Sequence, residues 1–230
     1  MTTDLNALLR RTNAVLFDFD GPVCSVFAGM PAPAIARDLR TYLSERGWPV
    51  DIPDDVADDP LEVLRAAVAF GQAAVREADD MLTAAETRAV QVAEPTVGGE
   101  ASMRASRVSG RVVGVVSNNS AAAVMAYLAH RRLTDVVDGP IVGRSYARPD
   151  LMKPNPHPVR LAVDKLGVPP DAVLLVGDST TDVVAARAVG VSCVGYANRP
   201  GKQQRLAGAD VILDDMQVLV EALFRRPPPP

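Results

Sequence analysis

The stretch 14-AVLFDFDGPV-23 decides how the rest of the chain is read. Its first six residues, 14-AVLFDF-19, form a short apolar run that ends in acids and Gly21. A strand buried on both faces of a parallel sheet has this signature, because neither face meets water. Similar runs recur at 111-RVVGVVS-117, 172-AVLLVG-177 and 191-VSCVGY-196, with a weaker one at 209-ADVIL-213. Helical patterns separate them. Segment 120-SAAAVMAYLAHRR-132 opens on Ser120, a good N-cap, and closes on a basic turn. Segments 156-PHPVRLAVDKLG-167 and 180-TTDVVAARAVG-190 each stop at a glycine. Strands alternating with helices predict an α/β fold, a doubly wound parallel sheet with crossover connections.

One region breaks the alternation. Between about residues 27 and 93 the patterns are helical without convincing strands, at 33-PAIARDLRTYLSERG-47, within 60-PLEVLRAAVAFG-71 and at 83-TAAETRAV-90. In the last of these Thr83 and Glu86 have the spacing of a capping box and predict a helix start. These helices read as an insertion after the first strand. The tail 227-PPPP-230 reads as an extended, disordered end.

Composition narrows the function classes. The chain has 230 residues, of which 48% are hydrophobic, enough for a sizeable core. Its net charge is −4 and its basic residues are interleaved with acids, as in 37-RDLRTYLSERG-47, so no nucleic-acid partner is expected. No apolar stretch reaches membrane-spanning length, and the start lacks the pattern of a secretory leader. The two cysteines, Cys24 and Cys193, make neither a disulfide framework nor a zinc site, and read as small buried hydrophobes. A cytoplasmic location is the expectation; the oligomeric state is not legible.

Four polar motifs fall where a strand run meets the following loop, the edge at which open parallel sheets bind ligands. In 18-DFDGPV-23, Asp18 and Asp20 leave a strand end together, and Gly21 permits a tight turn. In 117-SNN-119, a hydroxyl and backbone N–H groups precede a helix, which suits a phosphate oxygen. In 153-KPNP-156, Lys153 offers a point charge to an anion. In 177-GDSTTD-182, Asp178 and Asp182 sit four apart across a strand-to-helix turn and could face one cation.

This ordered set, D-x-D-G-x-V, S-N, K-P and G-D-S-x-x-D, resembles the haloacid dehalogenase superfamily in its phosphatase branch, with members like phosphoglycolate phosphatase and β-phosphoglucomutase. The resemblance spans about residues 13–220 and implies a three-layered α/β core, residues 1–24 and 95–226, carrying a helical cap, residues 25–94. It implies a Mg²⁺-dependent hydrolase of small-molecule phosphomonoesters. Asp18 would be the nucleophile, forming an aspartyl-phosphate, and Asp20 the general acid and base. Ser117, Asn118 and Lys153 would hold the phosphoryl group, with Lys153 counted among the catalytic residues. Asp18, Asp20 (through its carbonyl), Asp178 and Asp182 would serve the metal, Asp182 as ligand or behind one. The metal-independent dehalogenases of the superfamily lack an acid at the position of Asp20. Two features depart from the family pattern: Pro22 replaces the usual threonine or serine, and 94–110 matches the usual lead-in poorly. A sugar-phosphate mutase and a non-catalytic phosphometabolite binder are the alternatives.

Overall fold

The structure is a computed structural model and describes residues 4–225; the proline tail lies outside them. Helix α1 (Leu5–Arg11) leads into strand β1 (Ala14–Phe17), whose four residues are all buried. The segment β2 (Cys24–Ser25) is followed by α2 (Ala32–Glu45), α3 (Pro60–Ala66) and α4 (Gln72–Ala89), then by β3 (Glu94–Pro95). The chain continues through α5 (Gly99–Val108), β4 (Val112–Val116), α6 (Ala121–His130), β5 (Ile141–Val142) and α7 (His157–Leu166). It ends with β6 (Val173–Gly177), α8 (Thr180–Val189), β7 (Ser192–Tyr196), α9 (Lys202–Arg205), β8 (Val211–Leu213) and α10 (Met216–Phe224).

Six strands form one parallel sheet in the order β5-β4-β1-β6-β7-β8. Strand alternation splits the core into two layers. Val15 and Phe17 point to the face covered by α1, α5, α6 and α10, with Leu9, Met103, Tyr127 and Leu219. Ala14 and Leu16 point to the face covered by α7 and α8, with Val159, Ala162 and Ala186. Both layers exclude water from the strands, which is why the runs in the sequence are continuous rather than alternating. Cys24 and Cys193 are free and buried, one in each layer.

Helices α2, α3 and α4 bury a third apolar cluster of their own, built on Leu39, Leu43, Leu64 and Leu82. The chain leaves the sheet and returns to it along adjacent paths, because β2 and β3 pair antiparallel, Cys24 opposite Pro95 and Ser25 opposite Glu94.

Two sequence expectations are corrected here. Thr83 is not a helix start: α4 runs unbroken from Gln72 to Ala89, and Glu86 is fully buried in a salt bridge. Alanine, glutamate, arginine and methionine favour helix throughout this segment, and that summed propensity outweighs the local cap signal. The pattern at 60–71 is also two pieces, since α3 tightens into a 3-10 turn over Ala67–Phe70 before Gly71.

Candidate active site

The parallel sheet brings the carboxyl ends of β1, β4 and β6 side by side, so Asp18, Ser117 and Asp178 emerge at neighbouring points. Lys153 reaches the same place from the segment before α7. All four, with Asp20 and Asn118, line one cavity of about 580 Å³.

Asp18 is held at its backbone by an N–H donated to the Val176 carbonyl (2.8 Å). Its Oδ1 accepts from the Phe19 N–H (2.8 Å) and pairs with Lys153 Nζ (2.8 Å). Among the described residues Oδ2 has no such partner. Burial raises the Asp18 pKa well above the ordinary carboxylate value; Asp182 adds to the rise and Lys153 opposes it. Asp20 accepts the Val26 N–H at Oδ1 (2.9 Å), and burial pushes its pKa up to about 6. A carboxyl group poised there can give up a proton near neutrality and take it back.

Gly21 makes the turn between these acids and the rest of the loop. Its φ is +109°, and a side chain there would run into the Asp178 carboxylate. Thr96 Oγ1 donates to the Gly21 carbonyl (2.5 Å), so a hydroxyl from the returning crossing braces the loop in which Pro22 offers none.

Lys153 is almost wholly buried. Its Nζ donates to Asp182 Oδ1 (2.6 Å) and the Val116 carbonyl (2.9 Å), besides its pair with Asp18. Burial alone would lower its pKa, but the two carboxylates more than compensate and raise it, so the ammonium stays charged. Asp182 serves a local role at its other oxygen. Oδ2 accepts from the N–H groups of Asp178 (3.2 Å) and Ser179 (3.1 Å), completing a capping box at the start of α8. Both oxygens of Asp182 are thus engaged, and its position orients Lys153.

Ser117 Oγ accepts from the Asn119 N–H (3.1 Å). The Asn118 side chain brackets Lys153, accepting its backbone N–H (2.8 Å) and donating to its carbonyl (3.1 Å). Asp178 accepts at Oδ2 from Lys202 and from Asn198 (3.3 Å). Burial raises the Asp178 pKa and Lys202 opposes the rise.

Asp18, Asp178 and Asp182 offer carboxylate oxygens within 4.8 Å of one another. Hard oxygen donors around a desolvated point suit a divalent cation that keeps part of its water. Asp182's bonds to Lys153 and to the α8 start leave Asp18 and Asp178 as the better-placed ligands.

Sequence reading missed two groups of residues at this site. Lys202 has no motif around it. Arg144 stands in a loop with no motif around it, yet its side chain is fully buried and salt-bridged to Asp79 and Glu86 of α4. The positions of Asp79, Thr83 and Glu86, four and three residues apart and so on one face of α4, were the available signal, but nothing in the sequence pointed from them to Arg144. Arg65, also in the cavity wall, donates to Glu62 and to the Pro149 and Lys153 carbonyls.

Among the described residues no helix is long and apolar enough to cross a membrane. Residues 68–196 match the family of haloacid dehalogenase-like hydrolases. The chain is 31% identical over 222 residues to a phosphoglycolate phosphatase of Rhodospirillum rubrum, covering 90% of this chain and 88% of that one. It is 30% identical over 225 residues to a phosphoglycolate phosphatase of Xanthomonas campestris, covering 93% and 97%. Among solved structures, a predicted phosphatase from Clostridium acetobutylicum superposes with a TM-score of 0.69 at 21% identity, over 94% of this chain and 99% of that one. A β-phosphoglucomutase from Clostridium difficile does so with a TM-score of 0.66 at 18% identity, over 94% and 100%; at such identities the likeness is one of fold. The sheet order, the acidic loop after β1 and the match along most of the sequence agree: this chain belongs to the haloacid dehalogenase-like hydrolases.

Proposed function

We propose that the protein is a Mg²⁺-dependent phosphatase that hydrolyses a small-molecule phosphomonoester through an aspartyl-phosphate on Asp18. One observation carries the reading: a buried Lys153–Asp18 pair lies in the same cavity as Ser117, Asn118 and Asp178. Phosphoryl transfer asks for positioning and charge neutralisation, and this arrangement supplies both.

Asp18 Oδ2 attacks phosphorus, and the bond to the leaving oxygen breaks as Asp20 donates its proton to that oxygen. Asp20 then takes a proton from a water, whose oxygen attacks phosphorus and returns Asp18 to its carboxylate. Ser117 Oγ and the Asn118 N–H hold phosphoryl oxygens. Lys153 fixes Asp18 and neutralises charge between it and the phosphoryl group. Asp18, Asp178 and the Asp20 carbonyl would hold the cation, with Asp182 behind them. When bound, Mg²⁺ supplies the positive charge that lets two anions approach.

Residues 25–94 act in this reading as a cap over a core of residues 1–24 and 95–226. The cap wall of the cavity is acidic, with Asp55, Asp58, Asp59 and Glu62, and its Arg65 is already engaged. That wall favours a leaving group that is neutral or cationic over one carrying a second anion.

The test is phosphate release from 2-phosphoglycolate, glycerol phosphate and phosphoethanolamine, with Mg²⁺, with EDTA and with Asp18→Asn. Metal-dependent release that disappears in the variant supports the mechanism. No release from any ester refutes it and moves weight to a mutase or a binder. Release fastest from phosphoglycolate refutes the reading of the acidic wall and leaves the mechanism standing.

A further inference from the structure

Arg144 is a buried charge that the proposed mechanism does not use. Its side chain is 0% exposed, and Asp79 and Glu86 beside it are 3% and 0% exposed. Asp79 Oδ1 accepts from Nε (2.9 Å) and from one terminal nitrogen (2.7 Å), and Glu86 Oε1 accepts from the other (2.8 Å). That second nitrogen also donates to the Asn118 carbonyl (2.9 Å), and Thr83 Oγ1 takes a further bond (3.1 Å). The planar fork of an arginine matches this set, which a lysine's compact ammonium cannot span.

The two acids pass the connection onward. Glu86 accepts the Asn119 side-chain amide at Oε1 (3.1 Å) and the Ser120 N–H at Oε2 (2.9 Å). Ser120 is the N-cap of α6, so the helix dipole supports the second negative charge beside a single guanidinium. Asp79 Oδ2 accepts the Ala147 N–H (2.7 Å), and the Arg144 N–H itself donates to the Asn119 carbonyl (2.8 Å). Every peptide from 118 to 120 is therefore held by this cluster, either directly or through Glu86. Asn118 in turn brackets the Lys153 backbone.

We propose that Arg144, with Asp79 and Glu86, is a positioning device that fixes the Ser117–Ser120 turn against α4 and so sets the Asn118 N–H and Lys153 for phosphoryl transfer. This inference rests on the phosphatase reading for its kinetic consequence, but its structural content stands apart from it. Asn118 is held on both sides, its carbonyl by Arg144 and its side chain by the Lys153 backbone, so neither its own N–H nor the lysine shifts without breaking one of these bonds. Small misplacements of such groups affect turnover more than binding.

The test uses the full chain with Arg144→Lys, and Glu86→Gln as a second variant in case the first does not fold. Hydrolysis of p-nitrophenyl phosphate with Mg²⁺ is compared with amide hydrogen exchange over residues 117–124. The expected result is a fall in kcat of about tenfold to a hundredfold with KM changed by less than about threefold. Faster exchange in 117–124, with α10 unchanged, is expected alongside it. Wild-type kcat together with wild-type exchange in a folded variant overturns the proposal. Faster exchange with wild-type kcat also overturns it, since the cluster would then be structural only. If the wild type releases no phosphate, the phosphatase reading fails, and the exchange result alone decides whether the turn is held by this cluster.

Discussion

Replacing Lys153 with methionine tests the centre of the site most directly. Its ammonium lies between Asp18 (2.8 Å) and Asp182 (2.6 Å), and the lysine and Asp182 side chains are 2% and 0% exposed. Lys153→Met keeps the length and volume of the chain but leaves two desolvated carboxylates facing each other. Removing one partner of a buried pair costs about 3–5 kcal/mol. For a domain of this size each kcal/mol moves Tm by about 2–4 °C, so the variant should melt roughly 6–20 °C lower. Adding Asp182→Asn should restore part of that loss. The asparagine oxygen can keep the capping box at α8, while its neutral amide no longer sets a second carboxylate against Asp18. The pair should then show a coupling of about 1–3 kcal/mol in urea unfolding followed by circular dichroism. Phosphate release should stay at least about a hundredfold below wild type in both variants, because the neutral amide brings no charge to the phosphoryl group. A single variant as stable as the wild type, or additive effects in the double, refutes the view that Asp182 is there to hold Lys153. Wild-type turnover in either variant refutes the catalytic role of Lys153.

Three further outcomes are expected. Gly21→Ala should lower stability by about 1–3 kcal/mol, because the backbone is strained at φ +109° and the new methyl meets Asp178; calorimetry and phosphate release read the two effects together. Arg111→Met should lower Tm without changing turnover per folded molecule. The buried guanidinium donates to the Leu9 (2.7 Å) and Thr12 (3.1 Å) carbonyls, and each orphaned carbonyl costs about 1–3 kcal/mol. Mg²⁺ should raise the Tm of the wild type by mass action and leave Asp178→Ala unmoved, as a thermal titration with the metal alone would show.

The sheet was legible because two-sided burial writes itself into β1, β4 and β6 as unbroken apolar runs. Strands β2, β3 and β5 were not, being two residues each, too short to carry a period. The helix α5 stayed hidden for a different reason. Its buried face includes Ser102 and Ser106, whose hydroxyls donate back to the Gly98 and Ser102 carbonyls (2.8 Å each), so polar residues occupy positions where apolar ones signal amphipathicity. At the site, Asp18, Asp20, Ser117, Asn118, Lys153 and Asp178 were each marked by a strand end or a proline next to a polar residue, and the structure gathers them in one cavity. The Arg144 cluster joins positions 58 and 65 residues apart, and nothing local announces a pairing at that range.

The adjacency of β2 and β3 has a consequence for how such a chain can change over evolutionary time. Directly paired antiparallel residues lie about 5 Å apart, so the stretch between Ser25 and Glu94 begins and ends at nearly one point. A loop anchored like that can lengthen, shorten or be exchanged outright, since closure entropy rises only with the logarithm of its length. The sheet and its acids need not register the swap. Arg144 restricts that freedom: any replacement segment must bring its own pair of carboxylates to the buried guanidinium or arrive with a partner change at 144. Sequences that trade this insertion should therefore trade the three residues together.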